Sequence, residues 1–267
     1  MKKILLSVLT IGALGALAFG ASRAYFSDTE TSTGNTFTAG SLDLKVDNTC
    51  HYWTDANADT VYEDVGCAWD GTGSPAAQEA TWGLTDLLNG VHKFFNFTDV
   101  KPGDYGEDTV SLHVENDAWL RLLIDDTLNA DVTCTEPEGV AELDPNCDGT
   151  GDGTGELQQS LLFSVWLDDG STDGFQGTGN SGECNNIKEA DEEFIITEGP
   201  IDLDGETWDL SNYPAYTHLV GGQTACFGIA WKLPSTVGNE VQTDSFVGDI
   251  TFRVEQYRNN PTPSWSP

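Results

Sequence analysis

An acidic loop beginning at Asp144 carries oxygen-bearing side chains at alternate positions, the spacing with which one loop directs several ligands at a hard cation. Its sixth position is Gly149, as in calcium-binding EF-hand loops. Its twelfth position is Gly155 instead of a glutamate, and no amphipathic helices flank it, so it is not an EF-hand. We still predict a Ca²⁺ site here, with ligands from Asp144, Asn146, Asp148, Asp152 and Glu156.

A second acidic loop follows the same alternation from Asp55, with Glu63 and Asp64 close behind. It predicts another Ca²⁺ site, although Thr60 stands where the turn glycine would be. The alternative is that both loops are ordinary turns, because Asp, Asn and Gly are the residues that turns prefer. No organic cofactor is predicted. The ligands of this second site are Asp55, Asn57 and Asp59.

All six cysteines lie beyond Ala24, and an even number favours disulfides in an exported protein. Six cysteines can form three disulfides in fifteen different connectivities. Short separations in the sequence suggest two of the three disulfides, and the remaining two cysteines form the third. Metal ligation is the rival interpretation, but the sequence has no CxxC and its four histidines are scattered. The suggested pairs are Cys50 with Cys67, Cys134 with Cys147, and Cys184 with Cys226.

Signatures of enzymes are missing from the sequence, which has no HExxH zinc helix, no GxSxG elbow and no nucleotide-binding glycine loop. Adjacent carboxylates such as Asp125–Asp126 and Asp168–Asp169 end apolar strands, where we expect solvated turn residues. We therefore predict no catalytic residues, and a secreted metallohydrolase, which would require bound zinc, is the weakest alternative. Asn96 begins an Asn-Phe-Thr sequon and is a candidate N-glycosylation site.

The segment that ends at Ala24 has the order of a secretory signal. Lys2 and Lys3 precede an apolar stretch, and Ser22-Arg23-Ala24 places small residues before a cleavage point. We predict export, with cleavage between Ala24 and Tyr25 by a signal peptidase. An uncleaved anchor helix is the alternative, because the apolar stretch is nearly long enough to span a bilayer.

The charge of the chain limits the classes of molecule that it can bind. The sequence has 11 basic and 44 acidic residues, for a formal charge of −33. Cleavage after Ala24 would remove Lys2, Lys3 and Arg23 but no acidic residue, so the formal charge would become 8 minus 44, or −36. Such a surface repels nucleic acids and anionic lipids and attracts cations. The charge fits the binding of divalent ions, and it fits adaptation to salt equally well.

Apolar residues recur at every second position, the pattern of half-buried strands. The turn at Lys101–Asp104 combines a proline-fixed φ with a glycine that is free to take a positive φ. One or two helical turns near Thr85–Asn89 are the only helical candidate. We predict an all-β fold, an antiparallel jelly-roll-like β-sandwich with long disulfide-tied loops. Its strands fall in residues 37–46, 95–98, 110–114, 119–124, 161–167, 227–233 and 246–254.

We predict a single sandwich domain over residues 37–258, because the chain left after cleavage is long enough for one large core. A signal peptide over 1–24 and an extended segment over 25–36 precede it, and a flexible tail over 259–267 follows. Three long connections, over 50–80, 131–160 and 168–192, are rich in Asp, Gly, Asn and Thr. Cysteines lie in or near each of them, so disulfides would hold them.

Three stretches together resemble the TasA/camelysin family, whose members often carry a signal peptide of the SipW-processed class. The first is Ala24-Tyr-Phe-Ser-Asp28 followed by Asn35 to Leu44, which contains Phe-Thr-Ala-Gly-Ser-Leu-Asp-Leu. The second is Val100-Lys-Pro-Gly-Asp104 with the strand that ends at Asn116, and the third is the closing strand from Gly248 to Gln256. The six cysteines and the long loops depart from the better-known members.

The resemblance implies a jelly-roll-like subunit that is secreted and assembles with copies of itself into fibres of a cell-surface or biofilm matrix. In such fibres the N-terminal segment pairs as a strand with the neighbouring subunit. The residues permit this independently, since Tyr25 and Phe26 stand on a polar leash that leads to Phe37 in the first strand. Tyr25, Phe26 and Phe37 are the predicted assembly residues.

Alternatives remain open for the partners and for the N-terminal segment. Other matrix or surface proteins are further candidate partners, and nucleic acid is not one. The N-terminal segment would otherwise pack on its own domain or lie disordered. The chain would otherwise be a calcium-stabilised surface or adhesion module that does not polymerise. Some relatives are classed as metalloproteases, an activity for which this sequence supplies no ligand set.

Overall fold

The structure of the protein is a computed structural model that describes residues 42–67, 81–88, 92–97, 99–141, 155–170, 184–203, 205–212 and 218–265, with only the backbone of Glu136 and Val140. The chain divides into two units, Met1–Gly40 and Ser41–Pro267, and all of the described residues belong to the second. In this described part no helix is long and apolar enough to cross a membrane.

Strands dominate the described residues, and every pairing between them is antiparallel. The helices are short: α1 (Glu136–Ala141), α2 (Leu157–Ser160) and 3₁₀ turns at Leu210–Asn212 and Asn239–Val241. The strands are β1 (Leu44–Thr54), β2 (Glu63–Asp64), β3 (Trp82–Thr85), β4 (Tyr105–Val114), β5 (Ala118–Asp131), β6 (Leu162–Leu167), β7 (Phe194–Pro200), β8 (Glu206–Asp209), β9 (Thr224–Lys232) and β10 (Asp244–Gln256).

The strands form two sheets. Sheet A has the order β2-β1-β4-β9-β6-β7, with β3 also pairing β1, and sheet B has the order β10-β5-β8. The chain passes from one sheet to the other several times: β4 and β9 lie in sheet A, and the strands that follow them, β5 and β10, lie in sheet B. The predicted all-β antiparallel sandwich is confirmed.

The core lies between the two sheets and is built by alternation along each strand. On β5 every second residue from Ala118 to Ile124 is at most 3 % exposed, while the residues between them are half-buried. The rings of Phe227 on β9 and Phe252 on β10 approach to 5.3 Å between centroids, which joins sheet A to sheet B. Apolar area removed from water in this way is the main force that holds the sheets together.

Sheet A is covered on its outer face as well. On β9 the residues from Ala225 to Ile229 are all buried, so both faces of this strand are removed from water. A Cβ at Gly228 would overlap the indole ring of Trp166 on β6, so only glycine leaves room for that ring. The Trp166 ring thus provides part of the cover, and the disulfide between Cys184 and Cys226 brings the segment of residues 184–193, which precedes β7, onto β9.

The predicted turn at Lys101–Asp104 is present. The Asp104 N–H donates to the Lys101 carbonyl oxygen at 2.9 Å, and Gly103 has a φ of +104°, a conformation that favours glycine. Asp104 is 2 % exposed, and its Oδ2 accepts hydrogen bonds from the Lys101 N–H and from the Tyr52 hydroxyl. The turn is therefore fastened to β1.

Several predicted element boundaries were wrong. Strand β1 continues to Thr54, beyond its predicted end at Val46. The prediction stopped too early because some inward-facing residues of β1, Asn48 and Thr54, are polar and interrupt the apolar alternation. The helical turns expected near Thr85–Asn89 were wrong, since Thr85 ends strand β3 and residues 86–88 have no helix. Residues 95–97 form no strand, although Phe95 and Phe97 pack against the core. Strands β2, β3, β7 and β8 were not predicted.

The C-terminal tail, predicted to be flexible over 259–267, contacts the outer face of sheet B in its described part. The Trp119 indole N–H donates to the Asn260 carbonyl oxygen at 2.9 Å, and the Ser264 N–H donates to Glu255 at 2.9 Å. The Arg121 guanidinium lies 4.6 Å from the ring centroid of Trp265 and also pairs with Asp209 on β8.

Candidate functional site

Disulfides anchor two of the long connections. Cys50 is bonded to Cys67 and Cys184 to Cys226, with Cα–Cα distances of 5.6 and 5.4 Å, and these are two of the three predicted pairs. Cys134 is also disulfide-bonded. Its predicted partner, Cys147, lies outside the described residues. Disulfides bind these two connections to strands β1 and β9, as the cysteine positions predicted.

Three carboxylates converge beside the disulfide between Cys184 and Cys226. One oxygen each from Asp168, Glu189 and Glu192 lies within 4.8 Å of the other two, and we call this group the β6–β7 triad because it lies between those strands. Asp168 is fully buried, Glu192 is 5 % exposed and Glu189 is half-buried. The expectation that Asp168 and Asp169 are solvated turn residues was wrong, because the segment 184–193 covers them.

The β6–β7 triad has perturbed acidities. Burial raises the pKa of Asp168, while nearby N–H groups of Asn186, Asn185 and Cys184 oppose this. Burial raises the pKa of Glu192 to about 7, and the negative charges of Asp168 and Glu189 add to the increase. The repulsion between buried carboxylates is reduced when one of them takes up a proton or when a cation binds between them.

A second group of carboxylates connects β5, α1 and β10. Oxygens of Asp131, Glu138 and Asp244 lie within 4.8 Å of one another, and Glu138 is fully buried. Protein donors reach this group: the Thr135 N–H donates to Glu138 at 2.8 Å and the Leu157 N–H to Asp244 at 2.8 Å. Burial raises the pKa of Asp244 to about 6, with further contributions from Asp131 and Glu138. The bond to Asp244 ties the start of α2 to β10, while the bond to Glu138 closes the first turn of α1.

The loop at Asp55 uses its oxygens as acceptors for its own backbone. Asp55 accepts from the N–H groups of Asp59 and Thr60 at 3.0 and 2.9 Å, Asn57 from that of Asp59, and Asp59 from that of Val61. Of the ligands predicted in the other loop, only Glu156 is described, immediately before α2, and Asp144, Asn146, Asp148 and Asp152 lie outside the described residues. Both calcium loops stay predictions.

The histidines are separated, each with its own partner. His51 on β1 contacts Asp64 at 2.6 Å, and His113 on β4 contacts Asp47 at 2.7 Å. These two histidines are far apart: His113 lies opposite Lys45 on β1, and Lys45 is about 20 Å along that strand from His51. His92 accepts from the Leu88 N–H, and His218 stacks on Tyr257. Within the described ranges, this arrangement does not fit a zinc centre, which needs several such ligands at one point.

A carboxyl group lies inside the sandwich core. Asp108 on β4 is fully buried between Cys50 on β1 and Ile229 on β9, which are its cross-strand neighbours. Neither of its carboxyl oxygens has a partner in hydrogen-bonding geometry, although Asn48 is near enough to favour the charged form. Burial raises the pKa of Asp108 well above its usual range, so the neutral acid is the form that the core accommodates.

The edge of sheet B at β10 is open within the described part of the chain, since β10 pairs only with β5 there. Ile250, Phe252 and Val254 point to the core and pack against it, yet all three are only half-buried. Their partners across the ladder, Leu120, Leu122 and Ile124 on β5, are 2–3 % exposed. The inward side chains of β10 are thus less shielded than those of β5, even though the Phe94 ring lies 6.2 Å from that of Phe252.

The residues predicted for processing and assembly, Ala24, Tyr25, Phe26 and Phe37, lie outside the described residues. Asn96 of the sequon is half-buried, in an irregular segment beside the core instead of a strand. The β6–β7 triad was not predicted, because its members are far apart in the sequence and no motif links them. The pair of acidic residues at Asp168–Asp169 was the only local signal.

The fold and these sites define a disulfide-tied antiparallel β-sandwich with an open edge and buried acidic groups. Residues 1–54 match the family model described as camelysin metallo-endopeptidase. This match confirms the resemblance to the TasA/camelysin family over the N-terminal motifs, whereas the turn at Lys101–Asp104 and the closing strand lie outside the matched residues. No curated protein matches the chain.

Proposed function

We propose that the protein is a secreted structural subunit that assembles with copies of itself into an extracellular fibre or surface matrix. In this assembly residues 25–36 of one copy pair as a strand with β10 of the next. The half-buried apolar row on β10 is the observation that carries the proposal, because an added strand would cover Ile250, Phe252 and Val254. The likeness of residues 1–54 to the camelysin family supports it.

The dimensions of the edge suit a short donor strand. The β5–β10 register shifts between Val247 and Gly248, and such a bulge interrupts strand pairing. The uninterrupted part from Gly248 to Gln256 is about 27 Å long. The segment from Tyr25 to Thr36 is long enough to span it. Its few charges and several β-branched threonines suit a strand.

Peptide hydrolysis is not part of the proposal, although the matching family is named for a metallo-endopeptidase. The separate partners of the described histidines argue against a shared zinc ion. Metal analysis of the purified protein, together with a casein-cleavage assay with and without a zinc chelator, tests this. Stoichiometric zinc with chelator-sensitive cleavage would replace the structural function by an enzymatic one.

The assembly experiment compares protein that starts at Tyr25 with protein that lacks Tyr25–Asn35, both imaged by electron microscopy with and without calcium. We expect fibres from the first and monomers from the second. Monomers from both under all salt and calcium conditions would refute the fibre proposal. They would favour the second candidate, a cation-stabilised surface module that does not polymerise, which the buried carboxylate groups support.

The edge itself is tested with the truncated protein and a synthetic peptide of residues 25–41. Hydrogen–deuterium exchange should slow in β10 when the peptide is added, because its backbone N–H groups gain partners. A scrambled peptide of the same composition is the control, and β7, the strand at one edge of sheet A, should be unaffected. Protection of β7 in place of β10 would contradict the assigned edge.

A further inference from the structure

The β6–β7 triad is held by a rigid frame. The Asp168 N–H donates to the Cys226 carbonyl oxygen at 3.0 Å, and the Asp168 carbonyl oxygen accepts from the Cys184 N–H at 3.2 Å. The same two cysteines form a disulfide. The Leu167 N–H also donates to the Glu193 carbonyl oxygen at 3.0 Å. The end of β6 and the segment 184–193 therefore have fixed positions relative to each other.

Protein donors orient the three carboxylates but do not use all of their oxygens. Asp168 Oδ2 accepts from the Asn186 N–H at 2.7 Å, and Glu189 Oε1 accepts from the Asn185 side-chain amide at 2.9 Å. Glu192 accepts from the N–H groups of Gly170 and Glu189, both at 2.9 Å. Each carboxylate is thus held by at least one donor.

Two oxygens of the triad are left over. Asp168 Oδ1 and Glu189 Oε2 are buried and have no partner in hydrogen-bonding geometry, and the whole Asp168 side chain is 0 % exposed. A buried carboxylate oxygen without a donor is costly, and here like charges within 4.8 Å add to the cost. The nearby Lys188 donates to the Glu189 carbonyl oxygen and lies 4.8 Å from the centre of the Phe194 ring.

We propose that Asp168, Glu189 and Glu192 bind one calcium ion, which fastens the segment 184–193 to the outer face of sheet A. The donors are oxygens only, which favours a hard cation over zinc, and Cys184 is unavailable because it is in a disulfide. Ligands from an irregular segment suit the flexible geometry of calcium better than the strict octahedron of magnesium. Backbone carbonyl oxygens and water would complete the coordination.

This site is distinct from the two loops that the sequence predicted, and it does not depend on fibre formation. The chain is strongly acidic, with a formal charge of −33, so without a cation these three buried carboxylates would repel one another and the other acidic groups of the protein. The ion would neutralise the buried carboxylates and give both leftover oxygens a partner. Calcium would thereby stabilise the folded state, which alone brings positions 168, 189 and 192 together.

Isothermal titration calorimetry and thermal unfolding test the site on the oxidised full-length protein, stripped with chelator and kept at constant ionic strength. At free calcium about one hundred times Kd, we expect Tm to rise by about 5–10 °C. Magnesium at the same concentration should raise it less. No calcium response would overturn the proposal, and an equal or larger response to magnesium would overturn the choice of ion.

Two variants locate the ion. Asp168→Asn and Glu189→Gln each replace a carboxylate oxygen with an amide NH₂ that can donate to its neighbours. We expect each to raise Tm in chelator and to lose one calorimetric site together with the calcium-dependent rise in Tm. Glu189 is only half-buried, so its variant keeps the test valid if Asp168→Asn does not fold.

Asp249→Asn, at an exposed position outside this site and outside both predicted calcium loops, is the matched control and should keep the full response of the wild type. Asp55→Asn tests the predicted loop separately. A wild-type calcium response in Asp168→Asn and Glu189→Gln would overturn the site. Loss of the response in Asp55→Asn alone would place the ion in that loop and overturn the site equally.

Discussion

The hydroxyl of Tyr52 on β1 donates a hydrogen bond of 2.7 Å to Oδ2 of Asp104, and the two side chains are 0 % and 2 % exposed. Burial, together with this bond, raises the pKa of Tyr52, so the phenol remains a donor at any physiological pH. Asp104 closes the turn at Lys101–Asp104, which leads into β4. One buried bond therefore fixes the turn to a strand 52 residues earlier in the chain.

Tyr52→Phe removes this donor and should lower the free energy of unfolding by about 1–3 kcal/mol, because Asp104 then keeps only the Lys101 N–H. Urea denaturation measures the change, with an unaltered m-value as evidence of an intact fold. Tyr105→Phe is the matched control, since Tyr105 is 41 % exposed and should change stability little. Equal losses in both variants would contradict the role given to the Tyr52 hydroxyl.

Gly228→Ala should destabilise the protein by about 1–3 kcal/mol or more, because the new methyl group would collide with the Trp166 ring in the centre of sheet A. Thermal unfolding is the measurement. Gly83→Ala on β3 is the control, as a Cβ there meets nothing within 4 Å. If the two variants had the same Tm, Trp166 would not pack as the structure shows.

The two described disulfides should differ in their contribution to stability. They close chain separations of 17 and 42 residues, for which loop entropy gives about 3 and about 4 kcal/mol respectively. We expect the Cys184→Ala/Cys226→Ala double variant to lose more stability in urea than Cys50→Ala/Cys67→Ala. The reverse order would show that the segment 184–193 is held mainly by its other contacts.

Stability should depend on pH through Asp244. Burial raises the pKa of Asp244 to about 6 in the folded protein, above the ordinary value of 3.8. Between these values the folded state keeps a proton that the unfolded state releases, so this group lowers stability as pH rises from about 4 to 6. Asp244→Asn removes this pH-dependent contribution. Relative to the wild type, the free energy of unfolding of the variant should therefore be about 1–2 kcal/mol higher at pH 7 than at pH 4, after allowance for solvent screening.

Chemical denaturation of wild type and variant at both pH values measures this difference for Asp244. The control is Asp249→Asn, on the exposed part of the same strand. A variant whose stability followed the wild-type pH profile would show that Asp244 is not strained by its neighbours Asp131 and Glu138.

The sequence alone predicted the features that depend on neighbouring residues. Alternation gave the faces of β4, β5 and β9, because successive side chains of a strand point to opposite sides of the sheet. Proline and glycine predicted the turn at Lys101–Asp104. Local cysteine spacing predicted the Cys50–Cys67 disulfide, and Cys184–Cys226 followed as the remaining pair. The motifs around Ala24 and Leu44 indicated the family that residues 1–54 match.

Only the tertiary structure decided where the acidic residues lie. Asp55 and Asp168 look alike in sequence, but the first is in a turn that satisfies its own oxygens and the second is buried beneath another segment. Whether a carboxylate is buried depends on donors and neighbours supplied from far along the chain, as Asn186 and Glu192 are for Asp168. The position of β10 at the edge of sheet B, as far as the described strands show it, is likewise a consequence of strand order, which local periodicity does not encode.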